Sequence, residues 1–178
     1  TRPALSSFKE KTGKSGVMIS AVDLLKGIAV GAGMDVIEVE GATGSLHTNY
    51  EGKAKAAVKA LLDGKDFAYV HVEAPDEMGH QGSVEKKVKS IENLDSRVIR
   101  VVVEEMNKAG QDFRMLVMPD HPTPIRCRTH TSDSIPYMLY DSTEPQNNTG
   151  MLYNEAMAKS TGKLIEHGYE LIDRLLGE

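Results

Sequence analysis

Phe67-Ala68-Tyr69-Val70-His71-Val72 is an almost unbroken apolar run, the pattern of a β-strand covered on both faces. Glu73-Ala74-Pro75-Asp76-Glu77-Met78-Gly79-His80 follows at once and reads as a loop. Phe113-Arg114-Met115-Leu116-Val117-Met118 is a second run of the same kind, and it too opens into a polar stretch, Pro119-Asp120-His121-Pro122-Thr123-Pro124. Between the two runs, Val84, Val88, Ile91, Val98, Val101, Val102 and Met106 mark one face of a long helix ending near Gly110. Both runs are therefore expected to be central strands of one sheet, with their polar continuations meeting at the carboxyl edge.

The alternation extends outward. Gly13 to Gly16 is a turn, Val17 to Ser20 a strand, Ala21 to Gly33 a helix stopped by glycines, and Asp35 to Val39 a second strand. Glu40 to Gly44 is a loop and Tyr50 to Leu62 a helix ended by Asp63-Gly64. Ile135 to Tyr140 is a shorter strand, Tyr140 to Gly150 a polar surface loop with Pro145, and Ala156 to Gly162 and Ile165 to Leu176 closing helices. Strands alternating with helices predict an α/β layered sandwich with a mainly parallel central sheet flanked by helices. In such sheets, functional residues collect beyond the carboxyl ends of the strands.

Composition narrows the function classes. The chain has 178 residues, one domain's worth, and a net charge of −5, which argues against a nucleic-acid-binding stripe. No apolar run approaches the ~20 residues of a membrane span, and Thr1 onward has no signal-peptide pattern. The single cysteine, Cys127, excludes an internal disulfide and suits a reducing compartment, so a cytoplasmic protein is expected.

The chemistry lies past the two apolar runs. Asp76, His80, Asp120 and His121 sit there, and His130 follows in Arg128-Thr129-His130. Mixed carboxylate and imidazole donors suit Mn²⁺ or Zn²⁺, and less well Mg²⁺. Asp76 and His80, four apart, can reach one ion from a turn, and the adjacent Asp120 and His121 offer an oxygen and a nitrogen together. One catalytic zinc takes about three protein ligands, so these five donors read more economically as serving a pair of ions. The plainer alternative is that these are solvated or hydrogen-bonded loop residues, with Asp76 merely capping the next turn.

Other residues keep two readings. Arg126 and Arg128 can clamp a substrate phosphate or pair with a carboxylate such as Asp133. Cys127, between these cations, is either activated or a buried inert thiol. Lys86, Lys87 and Lys89 read as a solvated helix face, or one of them points at phosphate. His47, His71 and His167 lack a convergent partner, and His71 is expected in the core or hydrogen-bonded. Gly13-Lys14-Ser15 is not a P-loop, because Phe8 stands where the motif's first glycine is required.

The segments Ala74-Pro75-Asp76-Glu77-Met78-Gly79-His80, Asp120-His121-Pro122-Thr123-Pro124 and Arg128-Thr129-His130-Thr131 together resemble the C-terminal metal-binding portion of the archaeal-type cofactor-independent phosphoglycerate mutases, members of the alkaline phosphatase superfamily. Ile19 to Ile28, Gly41-Ala42-Thr43-Gly44 and Thr48 to Ala54 are similar to the same family, and the likeness runs from Arg2 to the last helix. The resemblance implies a two-metal phosphotransferase that interconverts 3-phosphoglycerate and 2-phosphoglycerate through a phosphoserine, with no organic cofactor. It implies that Asp76, His80 and His130 hold one ion and that Asp120 and His121 hold the other.

The same likeness implies what is missing. In that family the nucleophilic serine and an acidic ligand of the second metal come from an N-terminal segment, and an inserted domain supplies much of the substrate binding. Neither has a counterpart here, and none of Ser20, Ser45, Ser83, Ser90, Ser132 and Ser134 has the nucleophile's context. Residues 1–178 are thus expected to be the C-terminal part of the phosphotransferase domain, inactive alone, with the rest of the same polypeptide as their partner. Homoserine kinase activity, a phosphohydrolase or sulfohydrolase of the same superfamily, and a non-catalytic α/β interaction domain are the competing expectations.

Overall fold

The computed structural model of the chain describes residues 5–144 and 150–177; the part of the polar loop carrying Pro145 lies outside the described residues. Its centre is a parallel sheet in the order β2-β1-β3, formed by β1 (Gly16–Ile19), β2 (Asp35–Val36) and β3 (Phe67–Val70). The register pairs Val17 with Asp35 on one side and with Ala68 on the other. Val17, Met18 and Ile19 are all buried, because β1 has a strand on each side. β3 lies at the edge of this sheet, and its Tyr69 is 37% exposed. The expectation of a central, doubly covered strand at Phe67–Val72 is thus corrected. An apolar run records how hydrophobic a strand is, and not how many neighbours the fold gives it.

The helix α2 (Asp23–Gly31) ends at Ala32, before Gly33 turns left-handed at φ 71°. α3 (Tyr50–Leu62) has the expected bounds, started by the Asn49 side chain, which accepts from the Gly52 N–H at 2.8 Å. Its buried face carries Ala54, Ala57 and Ala60, small enough for close packing on β1 and β3. The short α1 (Phe8–Thr12), closed by a Ser7–Glu10 capping box, was not anticipated.

A helix, α4 (Ala74–His80), stands where a loop was expected. Pro75 in its first turn, with Asp76 and Glu77 beside it, is the start signal that identifies it. The long helix beyond is α5 (Val84–Leu94), a π-helical segment Asp95–Ile99, and α6 (Arg100–Lys108). Val98 and Met106 are buried as expected, but Val84, Val88 and Ile91 are half exposed or more. The wider π turn shifts the phase of the side chains, so one apolar stripe becomes two faces.

β4 (Arg114–Val117) pairs antiparallel with β5 (Met138–Asp141) in a separate two-stranded sheet, with Leu116 opposite Leu139. The expectation that both apolar runs are central strands of one sheet is corrected among the described residues, since β3 and β4 lie in separate sheets. After α7 (Glu155–Ser160), Gly168–Glu170 makes a 3₁₀ turn leading into α8 (Leu171–Leu176). α7 matches the expected first closing helix, with Gly162 at φ 68° just beyond it, whereas the second begins at Gly168 and not at Ile165.

Candidate metal centre

Three residues separate β3 from α4, which carries Asp76 and His80 on one face, because residues four apart stack along a helix. The loop beyond β4 is closed by the Thr131 N–H donating to the Pro122 carbonyl at 3.1 Å. That closure returns His130 beside His121, with ring centroids 3.7 Å apart. The two segments meet. Asp76 Oδ1 lies 3.4 Å from His80 Nε2 and 3.3 Å from His130 Nε2, and the two imidazole nitrogens are 3.2 Å apart. Asp76 is not a cap: α5 is capped by Ser83, and the Asp76 carboxylate faces the histidines.

This triangle has the size a metal face needs. With metal–nitrogen bonds of about 2.0–2.1 Å, the edge of a ligand tetrahedron is about 3.3 Å. The donors are also presented correctly. His80 Nδ1 is 2.9 Å from the Arg128 carbonyl, to which it donates, so Nε2 keeps its lone pair for the triangle. Arg128 adopts a left-handed backbone at φ 52° to offer that carbonyl. Donor atoms of Asp76, His121 and His130 also lie within 4.8 Å of one another, and His121 Nε2 is 3.5 Å from Asp120 Oδ2. Asp76, His80, His121 and His130 are thus linked by short contacts, and Asp120 reaches them through its neighbour His121.

The flanking residues resolve differently. Arg126 is exposed and pairs with Asp133 at 3.9 Å, and its Nη1 is 3.1 Å from Cys127 Sγ. Cys127 is partly exposed, which corrects the expectation of a buried thiol. The Arg128 guanidinium lies against Gly82, in the turn between α4 and α5. Lys86 and Lys89 are exposed, but Lys87 turns inward and its Nζ donates to the Thr123 carbonyl at 2.6 Å. Burial lowers the pKa of Lys87, opposed by the Asp76 charge. In the Gly13-Lys14-Ser15 turn, Ser15 binds Asp66 through its N–H at 2.7 Å and its hydroxyl at 2.8 Å.

Several contributors escaped the sequence reading. Thr123 is buried, and its hydroxyl bonds Asp76 Oδ1. His71, expected in the core or hydrogen-bonded, has Nδ1 3.3 Å from Ser20 Oγ, a partner that the sequence did not name. Burial lowers its pKa, against the pull of the Asp120 charge. Lys53 is fully buried and donates to the His71 carbonyl at 2.9 Å. Glu73, pushed up by burial and moderated by Lys53, lies against Gly44. A lysine four residues inside an alanine-rich helix gave no local sign of this inward turn, and Thr123 was visible only as part of a loop.

The sequence profile of the metalloenzyme superfamily matches residues 2–175. A probable 2,3-bisphosphoglycerate-independent phosphoglycerate mutase of Geobacter sulfurreducens is 50% identical over 98% of this chain and 43% of its own length. The 2,3-bisphosphoglycerate-independent phosphoglycerate mutase of Methanosarcina mazei is 47% identical over 98% of this chain and 44% of its own. A solved protein of Pyrococcus horikoshii superposes with a TM-score of 0.80 at 27% identity, covering 99% of this chain and 52% of that one. The chain thus spans less than half the length of the curated relatives it matches. With its α/β fold, its gathered carboxylate and imidazole donors and a profile match from end to end, the chain belongs to the metalloenzyme superfamily.

Proposed function

We propose that this chain is the metal-binding part of a 2,3-bisphosphoglycerate-independent phosphoglycerate mutase. Asp76, His80 and His130 hold one divalent ion, and Asp120 and His121 contribute to a second. The observation that carries this is the triangle of donor atoms with sides of 3.2 to 3.4 Å. The names and identities of the relatives support phosphoglycerate as substrate. Ions held there supply Lewis-acid neutralisation of charge on a transferring phosphoryl group. The chain's own residues set the geometry: α4 fixes Asp76 and His80, the closed loop returns His130, and the Arg128 carbonyl fixes the His80 tautomer.

We place residues 1–178 in the C-terminal part of the enzyme, with the nucleophilic serine and the rest of the second site on the remaining polypeptide. Arg126 and Arg128, in the same loop as His121 and His130, are candidates for binding substrate phosphate. A single cysteine supports a reducing, cytoplasmic setting, and among the described residues no helix is long and apolar enough to cross a membrane. Titration with Mn²⁺ and Zn²⁺, followed by calorimetry, tests the metal assignment. His80→Ala and His130→Ala should each weaken binding at least about tenfold. Unchanged affinity in both variants would remove the first ion from this site.

A further inference from the structure

Thr123 is none of the proposed ligands, yet its side chain touches a donor assigned to each ion. It is 4% exposed. Its backbone is held from two sides. Lys87 of α5 donates to its carbonyl at 2.6 Å, and the same carbonyl packs on Gly79 of α4, where a Cβ would come within 2.5 Å. The absence of a side chain at Gly79 is what lets the Thr123 turn approach α4 so closely.

The side chain then makes two contacts with different partners. Its hydroxyl donates to Asp76 Oδ1, because an ionised carboxylate can only accept. Its Oγ1 also lies 3.3 Å from His121 Nδ1. A threonine hydroxyl has one proton, and Asp76 takes it. The contact with His121 therefore has the imidazole as donor: Nδ1 carries the proton, and Nε2 keeps the lone pair. A single buried oxygen thereby orients the carboxylate of one proposed ion and sets the tautomer of the imidazole assigned to the other.

We propose that Thr123 is a positioning residue that couples the two halves of the metal centre by fixing the rotamer of Asp76 and the tautomer of His121. This rests on the metal reading above. Lys87 is the anchor that holds Thr123 in place. Outer-shell partners of this kind are worth roughly 10- to 100-fold in metal affinity.

The test uses ¹⁵N-resolved NMR of the His121 ring, at a pH where the imidazoles are neutral, together with Mn²⁺ titration of the same chain. The wild type should show His121 protonated on Nδ1. Thr123→Val, close in shape but lacking the hydroxyl, should lose that tautomer preference and bind Mn²⁺ about tenfold or more weakly. Thr123→Ser should restore both. Should the valine variant fail to fold, Thr123→Ala and the wild-type tautomer carry the same test. A wild-type His121 protonated on Nε2, or a Thr123→Val variant with unchanged tautomer and affinity, overturns the inference while leaving His80 and His130 as ligands. Wild-type protein that binds no Mn²⁺ overturns the metal reading, and this inference with it.

Discussion

Arg128 holds a left-handed backbone, φ 52°, a conformation that costs a non-glycine residue about 1–2 kcal/mol. The cost accompanies a specific contact, since that peptide's carbonyl accepts from His80 Nδ1 at 2.9 Å. The geometry separates what the backbone does from what the guanidinium does. Arg128→Gly should keep the carbonyl in place, raise folding stability by up to about 1 kcal/mol, and leave Mn²⁺ affinity within about threefold of wild type by calorimetry. Arg128→Pro should do the reverse. A proline ring fixes φ near −65° and removes the N–H that donates to the Pro124 carbonyl at 2.9 Å. A glycine variant that loses metal affinity as the proline variant does would show that the side chain, rather than the peptide, supports His80.

The elements differ in how much of their placement is local. The bounds of α3 were legible to the residue, since the Asp63-Gly64 stop adjoins it, and the structure adds the Asn49 cap at its start. The convergence of Asp76 and His80 was legible from their spacing, although the helix that produces it was read as a loop. The edge position of β3, the π turn between α5 and α6, and the inward course of Lys53 and Lys87 depend on neighbours far along the chain, and no local pattern encodes them. The β4–β5 pair shows how such a long-range contact carries stability. Asp141 is held down to about 2 from 3.8, chiefly by the Thr143 hydroxyl, then by Arg114 across the register, whose Nε is 2.6 Å away. Because folding lowers this pKa, its stabilisation is complete above pH 3.8 and drains away as pH falls towards about 2. Asp141→Asn should lower stability at neutral pH and flatten the acid limb across that window, read from urea midpoints at a series of pH values. An unchanged acid limb would show that the pair adds nothing to folding.

At the scale of the whole molecule, the chain and the proposed centre have different extents. The buried sheet and the helices packed on it make a core, with Val17, Ile19, Ala57 and Ala60 in one cluster and Tyr50, Ala54, Ala74 and Val98 in another. Yet Val84, Val88 and Ile91 on α5, and Leu24 and Ile28 on α2, remain exposed. Such apolar faces fit a body that packs against further protein. The relatives, of which this chain spans 43% and 44%, are long enough to provide it. The donor set has the same asymmetry. Three donors close a compact triangle, whereas Asp120 and His121 alone leave a second ion short of protein ligands. Binding and turnover should therefore come apart in this chain. It should take up Mn²⁺ through Asp76, His80 and His130, yet leave 3-phosphoglycerate and 2-phosphoglycerate unconverted when the mixture is followed by ³¹P NMR. Sustained interconversion would mean that the nucleophile lies within these residues. Ser20 would then be the first to substitute, since its hydroxyl is 3.3 Å from His71 Nδ1 and His71 feels the charge of Asp120. Loss of that turnover in Ser20→Ala, with Mn²⁺ affinity retained, would place the nucleophile at the carboxyl end of β1.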